Sequence, residues 1–199
     1  MLEDISNVHT DFPDFKVSHI GLFVFNIDLM VDFFTQTFGL HVTDRGIVRD
    51  TARIVFLSRD PSEHHQVVLV EGRTVPLGER LLNQISLRVA SLDGLRDALN
   101  RLRADQRVTG INPCNHGNAF SVYFLDPEQN RFEVFADSPF YVEQAVMNPL
   151  DLFRSDEELI ADTAVKHAAD PSFRLVEEWR ADFTRKLEKL TSAIQEEGV

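Results

Sequence analysis

Glu133 stands in the run Arg131-Phe132-Glu133-Val134-Phe135, a carboxylate among aromatic and branched side chains, where a charge is costly unless something compensates it. Strand alternation turns Glu133 to the face opposite Phe132 and Val134. Either that face is wet, or the carboxylate has a partner on it. Three further residues of ligating type open short apolar runs of strand character. They are His19 in Ser-His-Ile-Gly-Leu-Phe-Val, His65 in His-His-Gln-Val-Val-Leu-Val, and Gln84 in Asn-Gln-Ile-Ser-Leu-Arg-Val. If those strands line one concave surface, two imidazoles, an amide and a carboxylate converge and can bind a divalent ion. Otherwise each is a packed or solvated side chain with no shared task. By alternation only one of His64 and His65 faces inward. His65 shares its parity with Val67 and Leu69, so His64 reads as a surface residue. His116, in a Cys-Asn-His-Gly-Asn loop, and Tyr123, in the strand that follows, add a proton carrier and a hydroxyl donor.

The elements that must position these residues recur along the chain. Ser-His-Ile-Gly-Leu-Phe-Val, from Ser18, overlays Asn-Gln-Ile-Ser-Leu-Arg-Val, from Asn83, with a constant offset of 65. Ile20 then meets Ile85, Leu22 meets Leu87, Asp28 meets Asp93, and His19 meets Gln84. Each copy reads as a strand, a helix capped near Asn26 or Ser91, and then several strands folded about Asp60-Pro61 or Asp126-Pro127. Segments 41–50 and 106–112 supply an extra strand to each. The expected class is α+β: paired βαβββ modules, about 15–75 and 80–143, forming a cupped mixed sheet within a domain of residues 1–143. A helical extension, 144–199, follows. There Ser155 and Glu158 form a capping-box pattern. A second helix is expected from Pro171, with an apolar stripe through Phe173, Val176, Phe183, Leu187, Leu190 and Ile194. It would pack on the domain or on a second subunit, or act as a lid.

Composition removes several function classes. A formal charge of -12 repels a nucleic-acid backbone and an anionic membrane surface. One cysteine, Cys114, rules out an internal disulfide and suits a reducing compartment. The acidic first residues are unlike a signal peptide, and no apolar run is long enough to span a membrane. A cytoplasmic location is expected. No arginine cluster is evident along the chain for the carboxylates of a thiol peptide.

The duplicated module, with His19 in its first strand and Glu133 in its last, resembles the vicinal oxygen chelate superfamily over about residues 15–143. Within that superfamily, the spacing of His116, Val122-Tyr123, Asp126-Pro127 and Glu133 is most similar to the type I extradiol ring-cleavage dioxygenases. The resemblance implies a ferrous ion, or alternatively Mn(II) or another divalent metal. Its ligands would fall on His19, Gln84 and Glu133, with His65, His116 and Tyr123 as catalytic residues. His65 would face dioxygen, Tyr123 would hold a phenolate oxygen, and His116 would act as acid and base. The substrates implied are O2 and a small catechol-type aromatic. Gln84 departs from the family, which has histidine there; glyoxalase-like relatives do use glutamine. A glyoxalase-like lyase or isomerase, or a non-catalytic binder of aromatic ligands, is the alternative. A chain with one pair of modules must complete its cup alone or borrow from a neighbour, so a homodimer is expected.

Overall fold

The computed structural model describes residues 16–79 and 81–197, the side chains of 190–197 excepted. The first module runs β1 (Ile20–Val24), α1 (Ile27–Phe38), β2 (His41–Val48), β3 (Ala52–Ser58) and β4 (Val67–Glu71). The second runs β5 (Ile85–Arg88), α2 (Leu92–Ala104), β6 (Thr109–Asn115), β7 (Ala119–Leu125) and β8 (Arg131–Asp137). After these come β9 (Phe140–Tyr141), β10 (Asn148–Pro149), α3 (Asp156–His167), β11 (Arg174–Leu175) and α4 (Val176–Glu197). The α+β architecture is the expected one. The helix caps keep the offset of the repeat: Asn26 accepts from the Leu29 amide and Ser91 from the Gly94 amide. Among the described residues no helix is long and apolar enough to cross a membrane.

The strands of the two modules form two sheets rather than one, and β9 and β11 pair separately. The first has the order β1-β4-β3-β2 and the second β10-β6-β7-β8-β5. In each module the first strand pairs in parallel with the last, which a βαβ crossover requires. β1 and β5 are therefore sheet edges. The modules are joined instead through their core and through polar contacts, one of them between Arg107 and Asp32 of α1 at 2.6 Å. Phe34 of α1 meets Phe132 of β8 at 5.9 Å, and Phe38 meets Phe124 at 6.1 Å, so the first module's helix packs on the second module's sheet. Leu22, Val24, Leu95, Leu99, Val122 and Val134 belong to the same buried cluster.

The more deeply buried of these polar contacts centres on a carboxylate. Glu128, in the turn between β7 and β8, accepts from the Phe25 amide at 2.8 Å and the Asn26 amide at 2.8 Å, where β1 passes into α1. Arg73 lies 3.6 Å from the same carboxylate, and both side chains are almost wholly buried. Arg73 also donates to the carbonyls of Val75 and Glu128, at 2.9 and 2.8 Å, which ties the chain leaving β4 to the β7–β8 turn. Asp126 shapes that turn by accepting from the amides of Glu128 and Asn130, and Gln129 takes a left-handed φ of 63°.

The extension does not lie apart from the second module. β10 joins its sheet beside β6, and Arg96 of α2 holds the segment before α3 through the carbonyls of Leu152 and Arg154, at 2.8 and 2.9 Å. The expected capping box is present at Ser155 and Glu158. The last helix begins later than its sequence suggests, at Val176 rather than Pro171. Asp170 accepts from the Ser172 amide and hydroxyl and closes a turn there, and Arg174-Leu175 pairs with Phe140-Tyr141. Along α4, Trp179 stacks on Tyr141 and on Phe183; the expected stripe positions Leu190 and Ile194 fall among the side chains outside the described residues.

Removing one member of a buried ion pair costs about 3–5 kcal/mol. Glu128→Ala should lower unfolding free energy by about that amount in urea melts, and Glu128→Gln, which keeps an acceptor oxygen, by less. Equal, small losses for both would mean that the Glu128 carboxylate contributes little to joining the modules.

Candidate active site

Alternation places the functional candidates. Leu22, Val24, Phe132 and Val134 fill the core under the helices, so His19 of the first sheet and Glu133 of the second belong to the opposite, helix-free faces. On the second sheet Glu133 is 6% exposed. The Ser86 hydroxyl donates to its Oε2 at 2.6 Å and the Gln84 amide nitrogen donates to the same oxygen at 2.8 Å. Ser86 lies opposite Glu133 in the β5–β8 register, and Gln84 projects from just before that strand. Its other oxygen, Oε1, is 3.8 Å from His116 Nε2. The carboxylate is thus compensated by donors on one oxygen and faces an imidazole with the other.

His116 is held from behind. Its Nδ1 lies 2.5 Å from the Val146 carbonyl, which can only accept, so Nδ1 carries a proton. In the neutral ring Nε2 is then an acceptor. The Tyr123 hydroxyl sits 3.2 Å from it and the Cys114 sulfur 3.4 Å. Burial, and then the neighbouring Glu133 carboxylate, push Tyr123 up to about 12, so its hydroxyl keeps its proton at neutral pH. Burial and Glu133 likewise push the Cys114 thiol up to about 11, which leaves it a neutral, weak donor. Tyr123, His116 and Glu133 therefore lie together, with Nε2 of His116 between the Tyr123 hydroxyl and the Glu133 carboxylate. Arg131 lies over the Tyr123 ring with its guanidinium carbon 4.4 Å from the centroid.

The first module carries the other two candidates. His19 and His65 have ring centroids 4.3 Å apart, and His65 also meets Phe56 at 5.2 Å. Burial, then the neighbouring His19 and His64, lower the His65 pKa; the ring favours its neutral form. His65 reaches the His19 face against its parity with Val67 and Leu69, which are core residues. Strand β4 begins only at Val67, so alternation does not yet govern position 65. His64 is half-exposed, as expected for a surface residue, and pairs with Asp44 at 2.9 Å.

The six candidates thus fall into two groups, His19 with His65 on the first sheet, and Gln84, His116, Tyr123 and Glu133 on the second. No cluster of three or more His, Cys, Asp or Glu side chains that could hold a metal occurs among the described residues. The donor types of His19, Gln84 and Glu133, an imidazole, an amide and a carboxylate, nonetheless suit a divalent ion, and Glu133 Oε1 is the oxygen that Ser86 and Gln84 leave unused. Sequence reasoning missed Ser86, the Val146 carbonyl and Cys114 as neighbours of the site. Ser86 becomes visible only once the β5–β8 register is known.

Residues 16–134 match the family model of the Glyoxalase/Bleomycin resistance protein/Dioxygenase superfamily. The chain belongs to that superfamily. A comparison with curated protein sequences gives no match. Among solved structures, the fosfomycin resistance protein FosX from Listeria monocytogenes, complexed with Mn(II) and sulfate, is 21% identical with a TM-score of 0.50; the alignment covers 62% of this chain and 93% of that one. A glyoxylase/bleomycin resistance protein/dioxygenase domain from Frankia sp. EAN1pec is 22% identical with a TM-score of 0.53, over 61% of this chain and 91% of the other. These likenesses support the glyoxalase fold. The expected extradiol subtype is not what the similar structures represent. Val146, α3 and α4 lie beyond the matched segment.

The geometry around His116 fixes a tautomer. In 15N-resolved spectra of the neutral ring, the proton should reside on Nδ1 and Nε2 should show the shift of an unprotonated nitrogen. Gln144, whose amide reaches the His116 carbonyl at 2.9 Å, helps hold the strap formed by residues 142–147 between β9 and β10, so Gln144→Ala should move the ring toward a mixture of tautomers. An Nε2-protonated ring in the unaltered protein would contradict the Val146 contact.

Proposed function

We propose that the chain is a metal-dependent extradiol-type dioxygenase of the superfamily, cleaving an aromatic ring that bears two adjacent hydroxyls. The observation that carries this reading is the line Tyr123, His116, Glu133: a protonated phenol 3.2 Å from an imidazole nitrogen, itself 3.8 Å from a buried carboxylate. A ring-cleavage enzyme needs a hydroxyl to hold one substrate oxygen and a base to take its proton beside the metal. A structural core has no use for that arrangement.

A divalent ion, ferrous in this reading, would be held by His19, Gln84 and Glu133 and would supply Lewis acidity and electron transfer toward O2. Around it the protein's own groups divide the work. Tyr123 donates to a substrate oxygen, His116 Nε2 accepts the hydroxyl proton and later returns it, and Glu133 steadies the imidazolium in between. His65, held largely neutral, is the donor available on the facing sheet. Because His19 and Glu133 stand on different sheets, the proposed assembly is a homodimer whose contacts close the cup.

A second reading follows from Gln84. An amide is a weaker donor than imidazole and disfavours oxygen chemistry, so a lyase or isomerase that only polarises a pair of substrate oxygens would fit the same residues. Oxygen uptake by anaerobically purified, iron-reconstituted protein, followed with visible absorbance over a panel of catechols, separates the two. Ring cleavage predicts stoichiometric uptake with a yellow product. His116→Ala should then lower kcat by about 100-fold or more at unchanged iron content. Full metal loading without uptake would reject the dioxygenase reading and favour the second.

A further inference from the structure

A cavity of about 440 Å³ lies on the seam between the sheets, against the ends of β1 and β4 and the start of β8. Arg49 and Arg131 both line it. Many arginines of this acidic chain are paired with carboxylates, among them Arg53 with Glu71, Arg88 with Asp137, Arg96 with Asp156 and Arg107 with Asp105. Arg49 and Arg131 have no carboxylate partner among the described residues. Each rests on an aromatic ring instead, Arg49 over Phe23 at 5.3 Å and Arg131 over Tyr123 at 4.4 Å. Those contacts hold the guanidinium by its face, and leave its in-plane donors free.

The remainder of the wall gives the occupant a shape. Arg73 also borders the cavity but is neutralised by Glu128. The one acidic lining residue, Glu79, is outnumbered by the two uncompensated cations. Gly21 and Gly72 have open space where a Cβ would stand. Leu81 and Leu82, 92% and 51% exposed, offer apolar surface beside Phe23. Two fork-shaped cations with aliphatic and aromatic neighbours suit a small organic anion with an apolar body.

We infer that this cavity binds the anionic headgroup, carboxylate or phosphonate, of an apolar organic acid through Arg49 and Arg131. Arg131 touches the Tyr123 ring, whose hydroxyl end meets His116. The headgroup therefore lies one ring's length from the acid–base groups, and the substrate carries its charge at the end away from the reacting oxygens. That last step rests on the proposed function; the anion site itself does not.

The test is calorimetric titration of the full chain, without added metal, with benzoate and phenylphosphonate as anionic probes and benzamide as the uncharged counterpart of benzoate. At least one anion should bind about 10-fold or more tighter than benzamide, with affinity falling as salt is added. Arg49→Gln, an exposed position that folding tolerates, and Arg131→Gln should each remove most of that preference. Absence of anion binding, equal affinity for benzoate and benzamide, or an unchanged preference in Arg49→Gln would overturn the inference. Anion binding in a protein that consumes no oxygen would leave it standing while rejecting ring cleavage.

Discussion

The two modules share no strand pairing, so how they sit against each other depends on the core and on the buried Glu128 carboxylate. It takes two backbone amides at the end of β1, groups that the start of a helix leaves without partners. It shares its burial with Arg73, which is itself bound to carbonyls on both sides of the module boundary. A carboxylate at a helix start is also favoured by the helix dipole. These contacts set where β1 ends relative to the start of β8. Arg49, Arg131 and the Tyr123 line are placed by that setting rather than by a continuous sheet.

Glu133 solves the same desolvation problem differently. Glu128 is satisfied by amides and a guanidinium that leave no room for a ligand. Glu133 is supported by two neutral donors on a single oxygen, with an imidazole at 3.8 Å toward the other and the Tyr123 hydroxyl as a further neutral neighbour. Neutral donors do not neutralise a charge, so Glu133 retains a strong preference for a cation or a proton donor nearby. That residual demand sets Glu133 apart from Glu128 within the same module.

Much of this was legible in the sequence because the repeat carries it. A 65-residue offset predicted the paired strands, both helix caps and the equivalence of His19 with Gln84, since each is fixed by local pattern. Alternation placed Glu133 away from the core for the same reason. What failed was set by register or by chain direction. His65 lies before its strand, so its meeting with His19 rests on the loop rather than on the parity from which it was read. Ser86 meets Glu133 only through parallel pairing with β8, and Arg49 reaches Arg131's cavity only through the fold. The start of α4 was misjudged at Pro171 because Asp170 closes a competing turn and a two-residue strand intervenes.

The extension beyond the superfamily match bears directly on the chemistry. Gly117 permits it to approach: a Cβ there would come within 2.3 Å of Val142, and φ at Gly117 is +76°. With that clearance the strap passes close enough for the Val146 carbonyl to accept a hydrogen bond from His116 Nδ1. Asn115, two residues behind Gly117, bonds Thr163 of α3 at 2.8 Å, so helix and strap are anchored to the same loop. The histidine belongs to the superfamily module, but its tautomer is set by residues outside it. A truncated chain would retain every proposed ligand and lose the contact that makes Nε2 a base.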